Sequence, residues 1–192
     1  VRFYPIVPNL KSLPPIVLVD KDVADVLLKR KQAVTRIRHV VSIGTEGNDP
    51  PDGFASFAGR KLRLEFDDVE VEETRSGYVG PSLEDARRVV AFGKGIDGGV
   101  LLVHCAAGIS RSSASLLILL ADRVGPGRED EAVRLLVKVK EATQAARLRT
   151  DFIRPNRRLV WLGDAVLGRD GALLSACTRA FADAYAYAPW SP

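Results

Sequence analysis

Cys105 and Arg111 are the residues whose types and spacing could do covalent chemistry, in the run His104-Cys105-Ala106-Ala107-Gly108-Ile109-Ser110-Arg111-Ser112. A thiol attacks as its thiolate, and a positive environment favours that form. An arginine can hold two oxygens of one phosphate with its planar fork. A thiolate beside a bound phosphate is a nucleophile aimed at phosphorus. The Cys-x5-Arg spacing alone carries little weight in a chain with 20 arginines. The complete His-Cys-x-x-Gly-x-x-Arg-Ser run carries far more. The competing reading is a buried structural cysteine in a tight turn.

Two elements must position these residues. The apolar run Val100 to Val103 predicts a buried strand, and the run after Arg111, through Ala121, predicts a buried helix. The first N–H groups of a helix have no partner inside it and point at what precedes it. The helix dipole adds a preference for negative charge there, and a tight loop adds further inward N–H groups. Gly108 supplies the backbone freedom such a turn needs, with positive φ expected. The same field should hold the Cys105 thiol well below its free pKa of about 8.5.

The 192 residues suit one domain, 1–192, long enough for a substantial core. A 46% hydrophobic and 27% charged composition is that of an ordinary globular protein and argues against disorder. No apolar stretch approaches the ~18 residues of a membrane span, so no membrane partner is expected. Val1-Arg-Phe-Tyr-Pro5 does not follow the pattern of a secretory signal. Two cysteines, Cys105 and Cys177, make no disulfide framework. The role read for Cys105 needs a free thiol, so a reducing cytoplasm is the expected location, and Cys177 is read as packing. A net charge of +4 suits anionic ligands without naming one. Arg147, Arg149, Arg154, Arg157 and Arg158 cluster and are read as solvated surface, with contact to an acidic substrate or nucleic acid as the weaker alternative. There is no zinc spacing and no nucleic-acid recognition signature, so neither a metal nor a nucleic-acid partner is expected.

Along the chain, Ile16–Val19 predicts a strand, and Asp20 or Asp22 caps a helix running to about Ile37. His39 to Ile43 predicts a central strand, with His39 structural. The loop from Gly44 to Gly59 is expected on the surface. Lys61 to Phe66 alternates like a half-buried strand and ends at Asp67-Asp68. Val69 to Gly80 is acidic and polar, the pattern of a mobile loop. Ser82 and Asp85 form a capping box for a helix burying Ala86, Val89, Val90 and Phe92. Gly125-Pro-Gly127 and Ile153 to Asn156 are breaks around a helix from Glu129 to about Ala146. Arg157 to Leu167 is helical up to Gly168, and a last helix runs from about Ala172 to Tyr187. Strands alternate with helices early and helices dominate late. That predicts an α/β domain with a mostly parallel central sheet flanked by helices, and a ligand at a central strand's C-terminal end.

The His104 to Ser112 run resembles the signature loop of the cysteine-dependent protein tyrosine phosphatases, most closely their dual-specificity branch. Residues 60–175 are also similar to small bacterial tyrosine phosphatases. The shared features are the strand end Phe66-x-Asp68, the Ala107-Gly-Ile-Ser-Arg-Ser112 loop, and Asn156-Arg-Arg158 with Asp164 and Leu167-Gly-Arg169-Asp-Gly171. In that family an apolar-x-apolar-x-Asp pattern carries a general acid, and Leu64-x-Phe66-x-Asp68 matches it. Asp68 is thus preferred to its neighbour Asp67, though it lies 37 residues before Cys105, farther than is usual. A Pro-Asn pair opening a late helix is matched by Pro155-Asn156.

The resemblance implies a protein tyrosine phosphatase-like fold and phosphate-monoester hydrolysis without cofactor or metal. Cys105 would be the nucleophile and Asp68 the acid, then the base. Arg111 and the N–H groups of residues 106–111 (Ala106, Ala107, Gly108, Ile109, Ser110, Arg111) would hold the phosphate. Ser112 would donate to the thiolate, cap the helix, or do both. His104 and Asn156 would support the loop. The implied partner is a phosphorylated protein, phosphotyrosine above all with phosphoserine and phosphothreonine left open, or a small phosphate ester. Two other readings stand beside it. One is a phosphatase for lipid, inositol phosphate or RNA, weakened because loop positions 106, 107, 109 and 110 hold no lysine. The other is a catalytically silent phosphate-binding module.

Overall fold

The computed structural model describes residues 14–30, 35–70, 77–146, 148 and 152–186. In chain order the elements are β1 (Ile16–Val19), α1 (Lys21–Lys29), β2 (Ile37–Gly44), β3 (Arg60–Glu65), α2 (Leu83–Lys94) and β4 (Val100–His104). They continue as α3 (Arg111–Val124), α4 (Glu129–Ala145), α5 (Arg157–Leu167), α6 (Ala172–Ala180) and the single turn α7 (Ala182–Tyr185). The four strands form one sheet in the order β1-β4-β2-β3, and every pairing is parallel.

Alternation along the strands sends side chains to two cores. On one face Leu18, Val41, Leu64, Leu101 and Val103 pack with α2 through α6. On the other, Val19, Val40, Val100 and Leu102 pack with Ala24, Leu27 and Leu28 of α1. The second core also takes Phe54 and Phe57, which are buried. The Gly44 to Gly59 loop is therefore pinned by two aromatic plugs instead of lying wholly on the surface.

α3 packs against α2, α4 and α5 and is buried on nearly every side. α5 comes close enough that a Cβ on Gly163 would lie 2.3 Å from Ile118 Cγ1. A side chain there would push the two helices apart. The packing matters because α3 and α5 both begin at the site described below.

Two expected helix ends differ. α1 starts where expected, with Asp20 Oδ1 accepting from the Val23 N–H at 2.7 Å. It stops at Lys29, because Arg30 is extended and Ile37 pairs with Val100 in the sheet. The apolar spacing that seemed to carry the helix to Ile37 belongs to two elements. The last helix breaks at Phe181 into α6 and α7, and Tyr187 lies outside the described residues. Among the described residues no helix is long and apolar enough to cross a membrane.

Candidate active site

β4 ends at His104 and α3 begins at Arg111, so residues 105–110 are the turn between a central strand and the central helix. Gly108 has φ +71°. A Cβ there would stand 2.7 Å from the Val19 carbonyl carbon and oxygen and 2.8 Å from the Asp20 nitrogen. The turn is thus wedged against the β1–α1 junction, and only glycine fits.

Donors outside the loop take its carbonyls. Lys21 N–H donates to Ala106 O at 3.1 Å, Arg154 N–H to Ile109 O at 3.2 Å and Asn156 N–H to Ser110 O at 3.3 Å. Across a trans peptide the carbonyl and the next N–H point in opposite directions. The N–H groups of Ala107, Ser110 and Arg111 therefore face away from those donors, toward the inside of the turn. Ser110, the residue before α3, makes no side-chain cap, and the first turn of α3 holds no acidic residue. An uncapped N-terminus of a long helix favours an anion.

Cys105 is buried and free. Its Sγ lies 3.2 Å from Ser112 Oγ, so this hydroxyl faces the sulfur. Arg111 is buried, and its Nη1 donates to Phe66 O at 2.8 Å and to Thr45 Oγ1 at 3.4 Å. Its Nε has no hydrogen-bond partner, and an orphaned buried donor of a cation is costly unless an anion meets it. His104 Nδ1 approaches Cys105 O at 3.3 Å. Burial first, opposed by that hydrogen bond, lowers its pKa from 6.5 to about 4, so a neutral ring sits beneath the loop at neutral pH.

The two neighbouring aspartates separate cleanly. Asp68 Oδ1 accepts from Ser110 Oγ at 2.7 Å and from Asn156 Nδ2 at 2.9 Å. Its carboxylate is bonded directly to the Cys105 loop. Asp67 instead accepts from the Val79 N–H at 2.8 Å. Asn156, fully buried, caps α5 through Oδ1 to the Leu159 N–H at 2.9 Å. One residue thus joins α5, the Asp68 carboxylate and, through its backbone N–H, the loop.

The segment that carries Asp68 has a second tie that sequence reasoning missed. Glu70 Oε1 accepts from the Arg157 N–H at 3.0 Å. Its Oε2 accepts from Arg157 Nη2 at 2.6 Å, Arg157 Nε at 3.1 Å and Arg154 Nη2 at 3.3 Å. Arg157 is buried and stacks over Tyr185 at 4.6 Å, and Tyr185 donates its hydroxyl to Pro155 O. This corrects the reading of Arg154 and Arg157 as solvated surface. Arg158 Nε donates to Pro81 O at 3.0 Å, and Arg147 and Arg149 lie outside the described residues. Thr45 was also missed, although its place just after a central strand is where site residues of parallel sheets gather.

The remaining singled-out residues are structural. His39 Nε2 lies 3.2 Å from Gly98 O, and its ring meets Phe92 edge-on. Cys177 is buried, with Sγ 3.6 Å from Tyr185 OH, and burial pushes its pKa up to about 12, which keeps it a thiol. Among the described residues no cluster of His, Cys, Asp and Glu could hold a metal.

No protein-family model and no curated protein matches the chain. Among solved structures it is similar to human tyrosine phosphatase-like serine/threonine/tyrosine-interacting protein, at 24% identity over 77% of this chain and 84% of that one (TM-score 0.42). It is also similar to human DUSP28, at 19% identity over 81% and 96% (TM-score 0.47). A third is PTPMT1, solved in complex with PI(5)P, at 17% identity over 88% and 91% (TM-score 0.42).

Proposed function

We propose that this chain is a cysteine-dependent phosphatase of the dual-specificity-like branch, acting without metal on phosphate monoesters, with phosphotyrosine in proteins as its substrate. The observation that carries the reading is the Asp68 carboxylate hydrogen-bonded to Ser110 within the turn that holds Cys105 and Arg111. Nothing in a structural cysteine turn asks for a carboxylate at the mouth of an anion cradle.

In the proposed reaction the Cys105 thiolate attacks phosphorus in line. The S–P bond forms as the bond from phosphorus to the leaving oxygen breaks, and Asp68, protonated, gives that oxygen its proton. The amides of residues 106–111 and the Arg111 guanidinium hold the three other oxygens as charge redistributes. Water then attacks the phosphocysteine, Asp68 takes its proton, and the S–P bond breaks to release inorganic phosphate. Ser112 Oγ donates to the departing thiolate sulfur. His104, neutral and buried, supports the loop and moves no proton.

The substrate preference rests on the rim. Ala106 and Ala107 are exposed and small, so these two loop positions themselves carry no cation for extra phosphates. Tyr78 and Val79 are exposed beside Asp67, an apolar margin that suits an aryl ester on a peptide.

Hydrolysis of p-nitrophenyl phosphate in EDTA near pH 6, comparing the parent with Cys105→Ser, tests the reaction. We expect turnover by the parent, none by the variant, and phosphate binding by both. Binding without turnover by the reduced parent would instead make this a phosphate-recognition module. A panel of phosphotyrosyl, phosphoseryl and phosphothreonyl peptides against inositol phosphates and phosphoinositides tests the substrate class. Preference for the inositol compounds would overturn the protein assignment alone.

A further inference from the structure

The acid-bearing segment is held at two points with different chemistry. Ser110 and Asn156 grip the Asp68 carboxylate itself. Two residues later, Glu70 grips the start of α5 through the Arg157 N–H and guanidinium, with Arg154 adding a third donor group. The first grip engages the group that must give up and take back a proton. It must loosen and re-form in each turnover, because a carboxyl donating to a leaving oxygen changes its hydrogen bonds. The second grip touches no reacting atom and can persist throughout.

Its surroundings favour persistence. The Arg157 and Glu70 side chains are only 7% and 13% exposed. Arg157 is stacked on Tyr185, which is itself anchored to Pro155 O. The residues on either side of Pro155 donate their backbone N–H groups to Ile109 and Ser110 of the cradle. Glu70 therefore fixes the acid segment to the same short stretch, 154–157, that fixes the cradle.

On the basis of the phosphatase reading above, we infer that Glu70 is a positioning residue. Its ion pair with Arg157 holds Asp68 at the distance and angle from the cradle that proton transfer to the leaving group requires. Misplacement of a catalytic group by about 1 Å can cost ~10²-fold in rate, so a tether that removes such freedom has a measurable signature.

Leaving-group dependence supplies that signature. Phenol, with a pKa near 10 like the tyrosine side chain, needs a proton as it departs. Dinitrophenol departs as an anion and needs none. Glu70→Gln should lower kcat on phenyl phosphate by roughly tenfold to a hundredfold and on 2,4-dinitrophenyl phosphate by less than about threefold. Inhibition by inorganic phosphate should stay unchanged. In an Asp68→Asn background the same substitution should cost no further rate on phenyl phosphate. Arg154→Met, which removes the weaker and more exposed donor, should show the same selectivity at smaller size and guards against a poorly folded Glu70 variant.

Equal losses on both substrates, or an undiminished loss in the Asp68→Asn background, would show that Glu70 serves only the fold and overturn the inference. Equal activity of the parent and Cys105→Ser would overturn the phosphatase reading itself. Cys105-dependent turnover that ignores Glu70 would overturn the positioning role alone.

Discussion

The site has two halves built in opposite ways. The cradle half comes from one continuous stretch, His104 to Ser112, and is shaped by backbone: a positive-φ glycine, outward carbonyls and an uncapped helix start. The acid half is assembled by side chains from distant parts of the chain. Asp68 meets Ser110 across 42 positions and Asn156 across 88, and Glu70 meets Arg157 across 87. A cradle must present many donors in fixed directions, which backbone does best. An acid must be delivered at an adjustable distance, which a side chain on a separately anchored segment does best.

The cradle should break all at once. Gly108→Ala puts a Cβ against Val19 backbone in a left-handed conformation, which costs ~1–2 kcal/mol before any clash is counted. We expect turnover of p-nitrophenyl phosphate to fall by more than about 100-fold, with inhibition by inorganic phosphate lost as well. Unchanged phosphate inhibition in this variant would mean that the turn does not hold the anion.

The acid half should break in steps. Asp68→Asn removes the proton donor while leaving the cradle intact. The rate should fall by roughly 10²–10⁴, the usual reach of general acid catalysis, with phosphate inhibition preserved. A change in phosphate affinity as large as the change in rate would show that the two halves are not separable.

Asn156→Ala strikes the residue that the halves share. It removes the α5 cap and one of the two grips on Asp68. Stability should fall by about 1–2 kcal/mol in a denaturant titration. Turnover should fall by roughly tenfold, because Ser110 still holds the carboxylate. A rate as low as that of Asp68→Asn would make Asn156 as necessary as the acid itself.

The same division governs what the sequence made legible. The cradle's strand, turn and helix are contiguous, so periodicity and glycine placement located them. Asp20, Ser82 and Gly168 marked helix ends because caps are local chemistry. Asp68 came from a resemblance rather than from its own surroundings. Glu70 was read as part of a mobile polar loop and Arg157 as surface, because the ion pair that buries them joins positions 87 apart in the chain. The overlong α1 failed for a related reason: Ile37 satisfies helical spacing, but its partner Val100 lies on a distant strand. The arginine cluster reads as solvent-facing in any local window, and burial of one member depends on a tyrosine near the end of the described chain.

The sharpest comparison within the acid half is between adjacent residues of one type. Asp67 and Asp68 share charge and segment, and the structure separates them by partner and by exposure, Asp68 being the more exposed. Asp67 accepts from Val79 at the rim, and its own N–H donates to Val79 O at 2.6 Å. Asp67→Asn keeps an acceptor oxygen of the same shape, so the bond from the Val79 N–H should hold and turnover should change by less than about threefold. If that variant loses more rate than Asp68→Asn on phenyl phosphate, the proton travels through Asp67. The contact of Asp68 with Ser110 would then be a structural clasp, and the cradle would remain as assigned.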